Sequence, residues 1–421
     1  MALRARRSSL QVKLEVTEGA DPTGWTSTDV LALTAISEAL NPDTQQLNEF
    51  GGSLDSGETI AGAFKPVLTA RGAMRGSGTP ALPIPPFSAL MQSAGFIETL
   101  RAATLPAAAA QTCTAGTVNT VTFDGSTGTG TQWPTTTAAA LTGATAVIGE
   151  VVELAGNPST PTIATIVDYT VSANNRIVTL SRPSTDVGAG ATYTASTTIR
   201  RVIGTKWVTG SPSPHPSVYS RQFRDGIMQE FSGCRPNARF TCRTGTFAEF
   251  EFAIGGQFVQ RTDVAVPAAP TFLSPPVGVN GSCTFNGGGL SSTLLAIQEF
   301  SVDLGNQGQY PDNLNALSGV DPYLIGSRKI TGNINPLLTV TTGATGRNLI
   351  PLVQNGTKGQ LTVIWGPKTP QPPSQVGNRA SFCFPNAKFL DDAINEDNVV
   401  LRENVPFEPT SFDNGFVLYA F

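Results

Sequence analysis

Chemistry in this chain would have to come from a short list of side chains. The single histidine, His215, sits in Ser-Pro-Ser-Pro-His-Pro. A general base must be held within hydrogen-bond reach of its target, and a proline-rich connection is the ordinary setting for a residue that does no such work. Asp391-Asp392 with Glu396-Asp397 is a carboxylate cluster, for which a solvated turn is the default and a calcium site or catalytic pair the sharper alternative. Gly76-x-Gly78 has two glycines of a dinucleotide loop, but no third glycine follows and no βαβ pattern surrounds it. GxxxxGK[ST] and GxSxG do not occur. The five cysteines (Cys113, Cys234, Cys242, Cys283, Cys383) are odd in number and widely spaced, which makes a poor disulfide framework. With no CxxC and no His-x-x-x-His, a zinc site lacks ligands. Cys234 and Cys242 read as packing thiols. A carbohydrate-active enzyme would need paired carboxylates among aromatic platforms, and four Trp and six Tyr offer few. No catalysis, cofactor or metal is expected.

The elements that would position any site read as short strands. The 421 residues suit two or three domains. The chain is 40% apolar but only 14% charged, against roughly 25% in a typical soluble domain. Its 43 Gly and 31 Pro imply many turns, and its 22 Phe argue against disorder. A formal charge of −4 is not built to neutralise phosphates, although like charges would let DNA slide past. Met1 to Ser9 is basic without the apolar stretch of a signal peptide, and no apolar run of roughly 18 residues exists. Synthesis and retention in the cytoplasm until assembly is the expectation, with no membrane partner.

Along the chain, Leu10, Val12, Leu14 and Val16 alternate with polar neighbours, the period of a strand. A long Gly-rich loop spans 41–59, a strand region runs from Ile60 to Met74, and Pro86 to Gly95 fits a short helix. From about Leu105 to Thr205 charges thin and Thr, Ala and Gly dominate. Strands are predicted there at Val118–Phe123, Ala146–Leu154, Thr162–Val171, Arg176–Leu180 and Tyr193–Val202, with a turn at Asn174-Asn175. This reads as a small all-β module inserted in a host domain and facing outward, hinged at 106–110 and 210–217. Val218–Phe223, Asp225-Gly226 and Ile227–Phe231 then predict a hairpin with a type I′ turn. With 238–242 and 250–254 they give four antiparallel strands. Residues 262–290 read as a linker or extended crossing. Strands follow at Leu294–Leu304, Ile325–Leu338, Gln360–Trp365, Ala380–Phe384, Asn398–Arg402 and Phe416–Phe421. A weak internal repeat relates Leu90-Met91-Gln92-Ser93-Ala94-Gly95 to Leu352-Val353-Gln354-Asn355-Gly356, each following a strand and a loop.

Two blocks resemble a known family. Gly76-Ser77-Gly78-Thr79 with Pro86-Phe87-Ser88-Ala89-Leu90-Met91-Gln92-Ser93-Ala94-Gly95-Phe96-Ile97-Glu98-Thr99 is similar to a conserved block of siphophage tail tube proteins, phages with long non-contractile tails. Arg224-Asp225-Gly226 with strands 238–254, then Phe300 to Asn306 and Ser327 to Gly332, match the same family in order. The 106–205 insert departs from it. The resemblance implies an all-β, tail-tube-type β-sandwich with short α-helices, duplicated or single, plus the inserted module. The corresponding domains are 1–105 and 211–262 for the tube domain, 106–210 for the module, 263–290 for a linker and 291–421 for a second tube-like domain. It implies a virion structural protein whose stacked rings form the tail conduit for genome ejection. Its partners would be itself (three duplicated chains or six single ones per ring), other tail proteins, the tape measure protein and genomic DNA. A surface adhesin and a capsid decoration protein are the alternatives.

On that reading Gly51, Gly52, Asp55 and Gly57 are placed in an inter-ring stacking loop, because a loop of that length is functional or disordered. Glu249, Glu251 and Asp303 are lumen candidates, since the strand at 247–254 can bury Phe250 and Phe252 while the carboxylates face the other way; ordinary surface charge is the alternative. Arg4, Arg6 and Arg7 form an arm that either docks on a neighbouring subunit or stays free.

Overall fold

A computed structural model describes residues 8–46, 59–76, 84–101, 110–125, 133–137, 147–156, 162–184, 192–268, 270–279, 281–288, 290–316, 318–338, 348–367, 378–397, 400–411 and 413–421. The chain opens with β1 (Ser8–Leu14), β2 (Leu33–Ala39), the hairpin β3 (Pro42–Gln46) and β4 (Thr59–Phe64), and β5 (Val67–Ala73). The single strand expected over Ile60–Met74 is two strands, because Pro66 has no N–H to continue a ladder. Helix α1 (Ser88–Ser93) is shorter than expected; it buries Leu90 and Met91 completely and is closed by Gly95 at φ 89°. β6 (Phe96–Arg101) follows.

A 7-stranded sheet comes next. It comprises β7 (Gln111–Thr112), β8 (Ala115–Gly116), β9 (Thr120–Asp124), β10 (Val151–Ala155), β11 (Thr162–Ser172), β12 (Asn175–Leu180) and β13 (Thr198–Arg201). Its own core gathers Val121, Phe123, Trp133, Leu154, Ile166, Tyr169 and Ile199. Two strand limits differ from expectation. β10 starts only at Val151, because the Glu150 N–H closes a turn onto the Val147 carbonyl and Gly149 lies at φ 82°. Tyr193 is not in a strand; its ring is buried and its hydroxyl donates to the Arg182 carbonyl at 2.9 Å. The β11–β12 turn falls on Ala173-Asn174, with Ala173 at φ 52°.

β14 (Gly204–Thr209) pairs back onto β6, so the 7-stranded sheet is spliced between two adjacent strands. β15 (Val218–Arg224) and β16 (Ile227–Arg243) form the expected hairpin, with both Asp225 and Gly226 at positive φ as a type I′ turn requires. β16 is continuous over 17 residues, where two strands were expected. β17 (Glu249–Asp263) returns beside it. The stretch read as a linker ends in a strand, β18 (Ser282–Gly287), hydrogen-bonded into the main sheet. The strand predicted over Leu294–Leu304 divides into β19 (Leu290–Leu295) and β20 (Ile297–Asp303). That over Ile325–Leu338 divides into β22 (Leu324–Arg328), which pairs with β21 (Asn306–Gln309), and β23 (Thr331–Pro336). Helix α2 (Ile350–Gln354) leads to β24 (Lys358–Trp365), β25 (Ala380–Phe389), β26 (Ala393–Asp397), β27 (Val400–Pro409) and β28 (Val417–Ala420).

One arrangement occurs twice. β2 pairs with β5, β5 with β17 and β17 with β16. Likewise β20 pairs with β23, β23 with β27 and β27 with β26. All of these pairs are antiparallel. In each set a two-stranded hairpin lies between the first and second strands, β3–β4 in one and β21–β22 in the other. A short helix follows the second strand in both. The sets also share a detail of packing: a Cβ on Gly72 would lie 2.5 Å from the Phe250 ring, and one on Gly332 would lie 2.2 Å from the Phe407 ring. Within the chain the two sets are joined edge to edge by β16 and β20.

A second layer covers one face of this double sheet. It runs β6, β14, β28, β25, β24, β18 and β19. Between the layers is a phenylalanine-rich core. Phe240 and Phe300, from the double sheet, contact Phe382 at 6.0 and 5.0 Å, and Phe384 stacks on Phe416 at 4.8 Å. Fully burying each such ring contributes about 1.5–3 kcal/mol. This is a β-sandwich.

Candidate assembly surface

Among the described residues the double sheet has one uncovered face, set by alternation along its strands. Phe250 and Phe252 point into the core, so Glu249 and Glu251 point away. On β16 the core residues are Ala238, Phe240 and Cys242, and the outward ones are Arg239, Thr241 and Arg243. Directly paired residues share a face. Arg71 opposes Glu251, Glu251 opposes Arg239 and Arg239 opposes Asp303. Glu249, Glu251 and Asp303 therefore occupy one face, away from the aromatic core.

This face does not carry carboxylates alone. Arginines interleave with the acids: Arg71 Nε lies 2.8 Å from Glu251 Oε2, and Arg239 stands between Glu251 and Asp303 in the register. Asp303 also has a local task. It accepts from Asn237 Nδ2 at 2.9 Å and from the Gly305 N–H at 2.8 Å, fixing the turn that leaves β20. The arginines were in the sequence, but only cross-strand register shows that they share the face.

The borders of the double sheet are the second feature. Among the described residues the registers give β2 one partner, β5, and β26 one partner, β27. Unpaired strand borders are templates for another chain. Gly51, Gly52, Asp55 and Gly57, and Arg4, Arg6 and Arg7, lie outside the described residues. The positions they extend from are described: β3 and β4 flank the 47–58 segment, and β1 starts at Ser8, opposite Arg224.

The remaining chemical candidates have structural surroundings. All five cysteines are buried. Among the described residues, no group of three or more His, Cys, Asp or Glu is placed to hold a metal, and no helix is long and apolar enough to cross a membrane. His215 follows a cis Ser213-Pro214 bond, and its carbonyl accepts from Arg235 at 2.9 Å. Burial, Arg235 and Arg328 lower its imidazole pKa to about 4. A cleft of about 730 Å³ between the 7-stranded sheet and the second layer is lined by Glu98, Asp168 and Asp413 among others; Glu98 is occupied by Trp207 Nε1 at 3.0 Å.

One cluster was missed by sequence reasoning. Glu150, fully buried, faces Arg101 at 3.0 Å, Arg201 at 2.6 Å and Lys206 at 3.3 Å. Burial alone would raise its carboxyl pKa, but Arg201, Lys206 and Arg101 outweigh that and hold it at about 2. These residues come from β6, β13, β14 and the turn before β10, so the cluster fastens the 7-stranded sheet to the strands that carry it. No spacing in the sequence relates them; only the splice between β6 and β14 brings them together.

No curated protein matches the chain in sequence. A family model described as phage tail tube protein matches residues 178–371. The match begins in β12 and takes in β14 to β24, including the β15–β16 hairpin, the outward arginines and acids of β16 and β17, and the β16·β20 junction. This nearly all-β sandwich, with a polar sheet face, is in keeping with that match, and over residues 178–371 the chain is similar to the phage tail tube protein family.

Proposed function

We propose that the protein closes into rings that stack as the tail tube, with the open face of the double sheet lining the bore through which the genome leaves. The observation that carries this reading is the β16·β20 junction. There the last strand of one four-stranded set pairs with the first strand of the other. The same roles fall to β26 and β2, whose outer borders have no partner among the described residues. Joining β26 of one copy to β2 of the next repeats the internal junction between chains. The chain is on this reading two tube domains with the 7-stranded module inserted in the first, and three copies complete a ring. Barrels of roughly 16–18 strands already enclose a water-filled channel, and three double sheets enclose a wider one.

The interleaved Arg71, Glu251, Arg239 and Asp303 suit a passage. A net-neutral ladder attracts DNA phosphates weakly and is partly satisfied within itself. Genomic DNA and the tape measure protein are the expected contents, and other tail proteins the partners at the tube ends. The 47–58 segment and the arginine arm are reserved for contacts between copies. Native mass spectrometry and electron microscopy of the purified protein test this. Rings of three chains with a central hole support it; rings of six chains, or monomers at every concentration, overturn it.

A further inference from the structure

The second layer has an outer face of its own, turned away from the phenylalanine core. The 7-stranded sheet packs on one part of it. The Thr165 and Ser381 hydroxyls meet at 2.8 Å, Gln360 Nε2 donates to the Val167 carbonyl at 2.8 Å, and Ile163 joins Ile364 and Tyr419 in a small buried cluster. Another part is the floor of the cleft of about 730 Å³. Ile97, Val208 and Val417 stand side by side across β6, β14 and β28. Pro385 of β25, Gln360 of β24 and Asn286 of β18 carry the lining onward. The cleft therefore crosses six neighbouring strands, roughly 24 Å at about 4.8 Å per strand. Ile97, on the border strand, is 50% exposed. One wall belongs to the module, where the β11 bulge between Ile166 and Asp168 brings both Val167 and Asp168 to the cleft. The other is the β27–β28 loop, with Ser411, Asp413 and Asn414.

The polar groups of the cleft are set to accept. Asp168 Oδ1 accepts from the Tyr169 N–H at 2.8 Å and Asp413 Oδ1 from the Ser211 hydroxyl at 3.2 Å; among the described residues neither carboxylate has an ion-pair partner. Gln360 and Asn386 each spend an amide N–H, on the Val167 carbonyl and on Ser411 Oγ, and their side-chain oxygens receive no donor from the described residues. No Lys, Arg or His is among the residues that line the cleft. Arg328, on which Asp413 acts from outside it, is taken up by the Ala94, Gly95 and Gly210 carbonyls. Lys and Arg carry a cationic head on an aliphatic stem, which is the complement of carboxylates above an aliphatic floor. The span suits a polymer, since about seven extended residues at roughly 3.3 Å each would cross it. We propose that the cleft seats an extended basic segment of a different protein, its aliphatic side chains on Ile97, Val208 and Val417 and its Lys or Arg side chains toward Asp168 and Asp413. The proposal does not depend on ring closure. With the open face of the double sheet turned to a bore, the cleft lies on the outside of the tube, where the partner would reach it.

The test is a titration of the full-length protein, followed by fluorescence anisotropy. The probe is a labelled peptide of alternating Val and Lys, about nine residues long so that it crosses the whole cleft. A Val/Glu peptide of the same length and lysine amide are the controls. The Val/Lys peptide is expected to bind, and more weakly as salt rises. Asp168→Lys, in the wall, and Ile97→Ser, in the floor, should each weaken that binding on the order of tenfold. Both side chains are exposed, so both variants should fold, with circular dichroism as the check. Equal affinity in wild type and both variants overturns the proposal, as does equal binding of the Val/Glu peptide or no binding by wild type. Lysine amide that binds as tightly as the peptide would make this a pocket for a small cation. Peptide binding that disappears as the protein self-associates would give the cleft to a second copy. Either result overturns the proposed occupant.

Discussion

The two sets of strands repeat one topology but carry different attachments. The first holds the 7-stranded module between β6 and β14. The second passes from β24 to β25 through residues 366–379 and sends out the long β26–β27 hairpin instead. What they retain in common is the pairing order and the glycine beneath each key phenylalanine. Where they differ lies at the periphery. Pairing order and close packing are thus what the sandwich needs, and hairpin length and insertions are where the two sets differ.

Changing the module's anchor should have the largest effect. Glu150→Ala leaves Arg101, Arg201 and Lys206 without their buried counter-charge, and removing one partner of a buried ionic group costs about 3–5 kcal/mol. Urea unfolding should show that loss. With a pKa held at about 2, against an ordinary 4.5, the stability that Glu150 contributes is complete above the ordinary value and disappears as pH falls through about 2. A variant as stable as wild type would mean that the attachment is passive and that the halves differ less than their structures do.

A second change tests how tightly the halves hold each other. Arg328 of β22 donates to the Ala94 carbonyl at 2.8 Å, the Gly95 carbonyl at 3.2 Å and the Gly210 carbonyl at 3.3 Å, all in the first half of the chain. Arg328→Met should cost about 1.5–3 kcal/mol, the value of a hydrogen-bonded charge, as a lower thermal midpoint.

The equivalence of the halves is sharpened by Gly72→Ala and Gly332→Ala. Each added methyl meets a phenylalanine ring at under 3 Å, and overpacking of this kind costs about 1–3 kcal/mol. Similar losses in the two variants are expected from denaturant titration. Loss in only one would break the correspondence at the position where it is most specific.

His215 should give the smallest effect. Its folded pKa of about 4 lies below the ordinary 6.5, so the unfolded chain binds the extra proton first. Stability should fall as pH drops from about 6.5 towards 4, and His215→Gln should flatten that slope in thermal melts.

Legibility in the sequence followed the range of the interactions. The Asp225-Gly226 turn and the Phe250/Phe252 alternation are local, and both could be read directly. The break at Pro66 and the early start of β18 are local too, but long apolar runs and proline-rich stretches masked them. Register was the hidden quantity. Glu249, Glu251 and Asp303 could be named as outward-facing, but Arg71 and Arg239 join them only once β5, β17, β16 and β20 are aligned. The Glu150 cluster spans residues 101 to 206 and depends on a fold-level splice that no window of sequence contains.

Having β16 and β20 on the same polypeptide also bears on how a tube would grow. A junction made within one molecule forms at the effective concentration set by the chain itself, whatever the dilution. In the proposed ring every second seam would therefore be finished during folding, before any encounter in solution. Only the remaining seams would depend on the concentration of the protein.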